Sequence, residues 1–514
     1  MSEFDAAMLL KPSAWIDRRV RMFAMYMFHK LTAFRRNDDG MILVFWALAL
    51  AVMLGIVAMS FDMGRIASTQ SELQSFGDTV ALAAAGELDG KSDAITRANG
   101  AAAALITDSQ VFGSGSNLLG GVADYSLDFY STLPASDTAS LAAGLTTDPK
   151  LAAYARVVVV PKSVDFTFGA AFQALSGGAA PNNSVGAVAV AGFTQYACDI
   201  TPLMFCIPSP TFKADANIGN MILLRSGGNG AAWGPGDFGF LDLSIAGLDS
   251  AGPCAGLNGA QQTRCLIGAT GALTQCFSQR GVDTEPGQKV GIENSAYNIR
   301  FDIFSGSLNS KRNDVDYPAA PNVIKGLVPK GGGSCIGNNS DPSPNTVSLP
   351  RDNCFYTSSC ANGGRFGDGN WSNVTTGRPN YETKNYGATG RFPTAATRYA
   401  YYKAEIAAAG GGAANTRILP ASRAETGRPQ CTNKQSSDPD RRVVIAAGID
   451  CTANPINGRA TNVPVNEFVR LFLTEPVGEG TGNSFDIYAE VIGTAQSNGA
   501  GVTGVFHDVV QLYR

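Results

Sequence analysis

Hydrophobic and polar positions divide the chain most sharply at residues 41–60, where no side chain is charged and nearly all are apolar. A helix of this length spans about 30 Å, the hydrocarbon thickness of a bilayer. Beyond it, Leu73, Phe76, Val80 and Ala84 recur at helical spacing, and no Pro interrupts residues 61–88. The pattern therefore predicts one helix over residues 41–88, about 70 Å long, with its first half in lipid and its second half carrying a globular domain.

Shorter patterns follow this helix. Residues 94–106 predict another helix, and β-branched or alternating runs predict strands at 155–168 and 184–196, with a short helix at 170–178 between them. The middle of the chain is rich in turn-forming residues and contains one predicted helix, at 395–409. Strand patterns return near the end, at 441–450, 464–477, 485–496 and 504–514.

These elements indicate an α+β fold in which a single transmembrane helix continues into a long helix, a geometry that resembles pilins. A disulfide-bonded, β-rich and loop-rich exported region follows it. The predicted organisation is a basic leader (1–40), a transmembrane helix (41–60), a helix extension (61–90), a small α+β domain (91–200), a cysteine- and glycine-rich region (201–430) and a C-terminal β-rich lobe (431–514).

Charge predicts the orientation of the span. Seven Lys and Arg residues precede residue 41, whereas residues 61–90 contain only Arg65. By the positive-inside rule, the leader is cytoplasmic and the rest of the chain is exported. A cleaved signal peptide is the alternative, although the apolar run is longer than a signal peptide's and starts deep in the chain. Residues 15–34 fit either an amphipathic helix on the inner leaflet or a poorly ordered tail.

Cysteine placement agrees with export, because all ten cysteines lie beyond the span. An even number in an exported region indicates disulfides. The candidates are Cys198, Cys206, Cys254, Cys265, Cys276, Cys335, Cys354, Cys360, Cys431 and Cys451. Proximity in sequence favours the pairs Cys198/Cys206, Cys354/Cys360 and Cys431/Cys451, but spacing alone leaves the connectivity open.

Catalytic and metal-binding patterns are sparse. The chain has two histidines, His29 and His507, and lacks GxSxG, GxxxxGK[ST] and HExxH. Acidic clusters at 313–316 and 438–440 lack calcium-loop spacing. The expected protein is therefore not an enzyme and has no cofactor or metal; a hydrolase with paired carboxylates remains an alternative. A net charge of −4 argues against nucleic-acid binding. The aromatic–glycine run at 233–243 fits packed turns better than a carbohydrate-binding surface.

The span and its flanks resemble the N-terminal region of Tad (tight adherence, Flp) pilus assembly proteins of the TadE/TadG-like group. The basic residues Arg35 and Arg36 and then Gly40 precede the apolar span. A D-x-G-R motif, an L-Q pair and a D-x-A-A-L-A-like motif follow the span in order. The matching positions are Gly40, Asp62, Gly64, Arg65, Leu73, Gln74, Asp78, Ala81, Leu82 and Ala83, with Val80 where Ala is usual.

This resemblance implies a non-enzymatic structural or assembly component of a bacterial Tad/Flp pilus: a minor pilin, a tip subunit or an envelope-bridging protein. The implied location is the inner membrane, with a cytoplasmic N-terminus, a periplasmic bulk and incorporation into a surface pilus as one outcome. The implied partners are pilins and the inner-membrane platform, with a surface ligand or further copies of the chain as other candidates. A membrane-anchored adhesin or carbohydrate-binding protein is the alternative.

Physical roles can be assigned to parts of the motif. Arg35 and Arg36 would hold the inner end of the span at the anionic leaflet. Asp62 and Arg65 share a helix face and would pair with each other or with a neighbouring subunit. Residues 81–85 would let another helix approach closely. Cleavage after Gly40, as in pilins, would place Phe45 at the position where major pilins carry Glu, which favours an uncleaved anchor.

Overall fold

The computed structural model describes a large part of the chain. It covers residues 25–27, 40–134, 136, 139, 142–169, 183–198, 200–226, 232–242, 252–270, 276–285, 293–337, 339–412, 416–479, 485–495 and 506–513. The chain forms two compact units: unit 1 contains residues 1–192 and 511–514, and unit 2 contains residues 193–510.

The first elements in chain order are α1 (Gly40–Ala85), α2 (Ala94–Leu105), β1 (Thr107–Ser109), β2 (Leu118–Gly120), β3 (Tyr125–Tyr130), β4 (Tyr154–Ser163) and β5 (Ser184–Cys198). They are followed by β6 (Leu203–Cys206), β7 (Met221–Ser226), β8 (Asp237–Phe240), α3 (Gly259–Gly268), β9 (Cys276–Ser278), α4 (Glu293–Asn298), β10 (Leu327–Pro329) and β11 (Ser340–Pro342). The last are α5 (Asn353–Thr357), α6 (Ala361–Gly364), α7 (Arg378–Tyr386), α8 (Arg398–Ala408), β12 (Val443–Ile449), β13 (Glu467–Leu473), β14 (Gly478–Glu479), β15 (Phe485–Thr494) and β16 (Phe506–Leu512).

Helix α1 confirms the prediction of one continuous helix through and beyond the apolar run. Its 46 residues correspond to about 69 Å. It ends at Ala85, and the chain then turns at Gly86–Asp89 and continues through Gly90, whose φ of 77° suits glycine. Among the described residues it is the one helix long and apolar enough to cross a membrane, which fits a single-pass membrane protein.

The second half of α1 packs on an antiparallel sheet in unit 1. Strand order is β16-β5-β4-β3, and Val157 of β4 lies opposite Ala189 of β5. Leu73, Phe76 and Val80 of α1 are fully buried, and the Phe76 ring lies 6.2 Å from that of Tyr125 on β3. The predicted helical face is therefore the face that covers the sheet.

Unit 2 is built around a closed ring of strands. The order is β13-β12-β6-β8-β7-β15, and β15 also pairs with β13, which closes the ring. Pairs β12–β6 and β7–β8 are parallel, and the other pairs are antiparallel. Fully buried phenylalanines, among them Phe205, Phe238 and Phe468, contribute to its core. These features, with the long apolar helix and the disulfides, confirm the α+β fold class.

Five disulfides join all ten cysteines, in the pairs Cys198–Cys276, Cys206–Cys451, Cys254–Cys265, Cys335–Cys431 and Cys354–Cys360. The pairing of Cys354 with Cys360 is confirmed, but the predicted pairs Cys198/Cys206 and Cys431/Cys451 are wrong. Strand pairing explains the difference. Cys198 on β5 lies opposite Cys276 on β9. Cys206, the last residue of β6, lies beside Ile449, the last residue of β12, and Cys451 follows Ile449 by two residues.

Most other predicted elements lie near their observed bounds. The helices predicted at 94–106 and 395–409 and the strands predicted around 155–168, 184–196 and near the C-terminus are present. The last strand, β16, joins the sheet of β5 rather than the ring formed by β12, β13 and β15. The helix predicted at 170–178 and most of the amphipathic segment at 15–34 lie outside the described residues.

The aromatic–glycine run packs inside unit 2. Phe238 and Phe240 on β8 are buried, and so is Trp233. A Cβ atom on Gly239 would lie 2.3 Å from the Trp233 ring, so the ring covers backbone at a position that only glycine can occupy. The run therefore forms core, as the packing interpretation predicted.

Candidate helix-anchoring and assembly site

Asp62 lies just beyond the apolar run and holds a loop of its own chain. It is 7% exposed, and its carboxylate accepts hydrogen bonds from the backbone N–H groups of Thr167 at 3.0 Å, Phe168 at 3.2 Å and Gly169 at 2.7 Å. These residues form a helical turn, whose N–H groups lack partners within the turn. Charge-assisted bonds of this kind are about twice as strong as neutral ones.

Arg65 binds the same loop from one turn further along α1. Its Nη1 donates to the carbonyl oxygen of Asp165 at 3.3 Å and to the Thr167 hydroxyl, and its guanidinium lies 5.1 Å from the centre of the Phe112 ring. Within unit 1, Asp62 and Arg65 thus both contact residues 165–169. The sequence correctly placed the two residues on one helix face, but their partner is a loop about a hundred residues later.

Gln74 and Asp78 act together at the edge of strand β5. The Gln74 amide donates to Asp78 Oδ1 at 2.7 Å and to the Val188 carbonyl at 3.1 Å, and Gln70 donates to the Gly186 carbonyl at 3.3 Å. On this side of β5, the N–H of Tyr513, just after β16, bonds the Val190 carbonyl. The two glutamines therefore donate to backbone carbonyls of β5 that do not pair with β16. They protect this unpaired part of the β5 edge.

The small residues near the end of α1 do admit another helix, and it is the chain's own α2. Ala81 and Ala84 are fully buried, as are Ala98 and Ala102 of α2, which packs against α1. Leu82 and Ala83 are half-buried, and Leu73 lies in the core. The sequence reasoning predicted this close approach without identifying the partner.

Two glycines of α1 have different surroundings. A Cβ atom on Gly77 would lie 3.1 Å from Val159 Cγ2 and 3.7 Å from Ala189 Cβ, so this residue lets the helix approach the sheet. Sequence reasoning missed Gly77, although it lies on the buried face between Phe76 and Val80. A Cβ atom on Gly64 would meet nothing within 4 Å, so Gly64 is not needed for packing in the isolated chain. Gly40 is the first residue of α1, while Arg35 and Arg36 lie outside the described residues.

A shallow groove of about 580 Å³ runs along the exposed side of α1. It is lined by Ala67, Gln70, Ser71, Gln74, Ser75, Asp78 and Thr79. Most of these side chains are small or uncharged, and Gly64 precedes them by about one turn on an exposed stretch of the helix. This is a surface that a neighbouring helix could approach closely.

Unit 2 contains carboxylates that are enclosed and partnered. Glu405 is 1% exposed and accepts hydrogen bonds from the hydroxyls of Tyr381 and Tyr386, both at 2.7 Å, and from the Asn322 amide at 2.9 Å. Burial raises the pKa of Glu405 to about 7. Arg398 likewise lies between the buried carboxylates of Asp352 and Glu490. These carboxylates are therefore buried within unit 2 and bound by neighbouring side chains.

The two acidic clusters singled out in the sequence are also partnered. Asp314 pairs with Lys311 at 2.9 Å, and Asp440 pairs with Arg470 at 2.8 Å. Among the residues with described positions, no group of three or more His, Cys, Asp or Glu side chains is arranged to hold a metal ion. His507 lies on β16, and its side chain is outside the described part of the structure.

Comparison with known proteins bears on α1 and the turn that follows it. Neither a curated protein nor a solved structure matches the chain. The model of the Tad family, described as Flp pilus-assembly TadE/G-like, matches residues 40–87, which include every motif residue from Gly40 to Ala83. The match supports a pilus-related structural role. Through this segment, the chain is similar to the TadE/G-like family of Flp pilus-assembly proteins.

Proposed function

We propose that this protein is a non-enzymatic, single-pass component of a bacterial Tad/Flp pilus machine. Its N-terminus lies in the cytoplasm, α1 crosses the inner membrane, and the remainder of the chain lies in the periplasm. It acts through helix packing and through surface contacts outside the membrane. Its place in the machine is that of a minor pilin, a tip subunit or an assembly protein that bridges the envelope.

The observation that carries the proposal is the coincidence of the family segment with α1. The matched residues 40–87 include the whole helix and the first two residues of the turn that follows it. Asp62 and Arg65 bind a loop of unit 1 directly after the apolar run, so the membrane helix is held firmly to the domain that follows it. Such a helix fixes the position of the periplasmic domain relative to the membrane, as a scaffold protein requires.

The exposed side of α1 supports a contact with another pilus protein. Gly64 belongs to the family motif, yet it has open space around it, and the groove of small residues follows it. Small residues on an exposed helix let a second backbone approach closely. The neighbouring subunit's helix is the partner that we propose for this side.

A non-enzymatic role is supported by the chemistry of the described residues. The buried carboxylates of unit 2 bind Arg, Tyr and Asn side chains. The part of the chain after the membrane helix has a single histidine, His507, that could act in general acid–base catalysis. The proposed activity is therefore binding and assembly.

Co-purification tests the proposal. The full chain, tagged and extracted in mild detergent, should bring down the major pilin and the inner-membrane platform proteins, and Gly64→Leu should reduce their recovery while the protein stays folded. Gly100→Leu is the matched control, because Gly100 also lies in a helix with nothing within 4 Å of a Cβ atom. If neither partner co-purifies with the wild-type chain, or Gly64→Leu behaves like Gly100→Leu, the proposed contact is wrong.

A membrane-anchored adhesin is the second candidate, because unit 2 lies outside the family segment and has its own strand ring and disulfides. It predicts binding of the full chain to glycans or surfaces and normal piliation in a deletion strain. The pilus proposal predicts loss of pili in that strain.

A further inference from the structure

We propose that unit 1 rests in the polar layer of the bilayer on an apolar foot formed by Phe61, Phe112 and Phe168. The foot lies beside α1 where the helix leaves the hydrocarbon. Its occupant is the lipid surface on the exported side. This inference rests on the membrane anchoring in the proposed function.

The foot is an exposed apolar patch that the isolated chain leaves uncovered. Phe61 is 63% exposed and Phe168 is 46% exposed, and their ring centres lie 6.2 Å apart. Phe112 is 37% exposed and lies beside Arg65, one turn further along α1 than Phe61. Clustered aromatic surface of this kind marks an interaction site more often than scattered apolar residues do.

Helix geometry gives the height of the foot. If the apolar run ends at Ser60, Phe61 lies about 1.5 Å and Arg65 about 7.5 Å beyond it along the axis. The polar layer on each side of the hydrocarbon is roughly 5–7 Å thick. Phe168 contacts the ring of Phe61, and Phe112 lies against the Arg65 guanidinium. These aromatic side chains are therefore level with the headgroups.

The motif residues hold the foot at that height. Asp62 binds the N–H groups of residues 167–169, which fixes Phe168 beside Phe61. Arg65 binds the same loop and stacks on Phe112. Further along α1, Glu72 accepts the N–H of Val111 at 3.0 Å, which restrains the segment that carries Phe112. A cation beside aromatic rings suits the interface, because the rings favour the apolar side and the guanidinium favours phosphate and water. Asp62 and Arg65 thereby set the position of unit 1 on the membrane as well as its connection to α1.

Depth-dependent fluorescence quenching tests the foot. The full chain is placed in nanodiscs of phosphatidylcholine, with and without lipids brominated near the headgroup. The difference in quenching between the wild type and Trp46→Phe, which retains the other three tryptophans, reports insertion of α1 at Trp46. Phe168→Trp, Phe112→Trp and Leu151→Trp are then compared in a Trp46→Phe background, whose own signal is subtracted. Leu151 is the control: it is 57% exposed but follows Lys150, which lies beside Gly90 beyond the far end of α1, about 35 Å from Ser60.

The expected quenching is strong at residue 168, intermediate at residue 112 and absent at residue 151. Quenching of Trp46 together with equal, weak quenching at residues 168 and 151 would overturn the foot and leave the anchoring intact. Lack of quenching at Trp46 would overturn both the anchoring and the foot. Asp62→Asn, combined with Phe168→Trp, should lower the quenching at residue 168 because the loop is released; unchanged quenching would show that Asp62 does not position the foot.

Discussion

At the scale of single residues, buried carboxylates organise loops by accepting backbone N–H groups. Asp62 binds residues 167–169, and Asp302 binds the N–H groups of Gln430, Cys431 and Thr432 at 2.7–2.9 Å. Glu425 does the same for residues 325–326. Such bonds satisfy loop backbone that has no strand partner, which matters in a chain with so many glycines and turns. The motif identified Asp62, but its spacing contains no information about the loop it binds.

Asp62→Asn should loosen the loop without unfolding unit 1. The change removes the charge and turns one acceptor oxygen into a donor that faces N–H groups, so we expect a loss of about 1–3 kcal/mol in the local opening free energy. Hydrogen exchange of the segment containing residues 165–169, measured by mass spectrometry, should accelerate accordingly. Asp93→Asn, which removes an exposed ion pair with Arg97, is the control and should leave exchange there unchanged. Equal exchange in Asp62→Asn and wild type would refute the clamp.

Glu405 should make unit 2 less stable as the pH rises. Burial raises its pKa in the folded state from 4.5 to about 7, so the folded state binds the proton more tightly than the unfolded state does. The stabilisation is complete below about pH 4.5 and is lost as the pH rises through about 7, by up to about 3 kcal/mol.

Glu405→Gln isolates this effect because the amide keeps an acceptor for Tyr381 and Tyr386 and cannot ionise. The difference in unfolding free energy, wild type minus variant, should fall between about pH 5 and about pH 8 in urea titrations. A difference that does not change with pH would mean that Glu405 titrates normally in the fold.

At the scale of elements, the periodicity of apolar residues predicted where helices and strands lie, but it did not predict which strands pair or which cysteines join. The Leu73–Phe76–Val80 face predicted which side of α1 is buried, because one helix carries that information locally. Alternation predicted β12, β13 and β15 but could not show that β6, β7 and β8 lie between or beside them. The same limit explains the disulfides: Cys206 and Cys451 are far apart in sequence and meet because β6 and β12 are parallel neighbours.

The two glycines of α1 should separate folding from assembly. Gly77→Leu forces a side chain between α1 and the sheet and should cost about 1–3 kcal/mol or more of unfolding free energy. A Cβ atom at Gly64 has nothing within 4 Å, and leucine has the higher helix propensity, so Gly64→Leu should be neutral or stabilising by up to about 1 kcal/mol. Guanidinium unfolding of the purified chains, followed by circular dichroism, measures both. Equal midpoints for the two variants would contradict the packing assigned to Gly77.

At the scale of the whole molecule, one helix joins a membrane anchor to a domain, and the family segment ends where that helix does. Unit 2 lies outside this segment, so the family match does not bear on its role. Its closed strand ring and five disulfides provide a stable body with a surface of its own. We therefore propose that α1 provides anchoring and assembly and that unit 2 presents a surface.

Pilus production in a deletion strain tests this account most directly. Pili are counted by electron microscopy after complementation with the wild type, Gly64→Leu or Gly100→Leu, each expressed at equal level in the membrane. The account predicts that the deletion abolishes pili and that the wild type and Gly100→Leu restore them, while Gly64→Leu restores few because the open side of α1 is blocked. Normal piliation in the deletion strain would contradict a role in the pilus, and full restoration by Gly64→Leu would contradict assembly through that side of the helix.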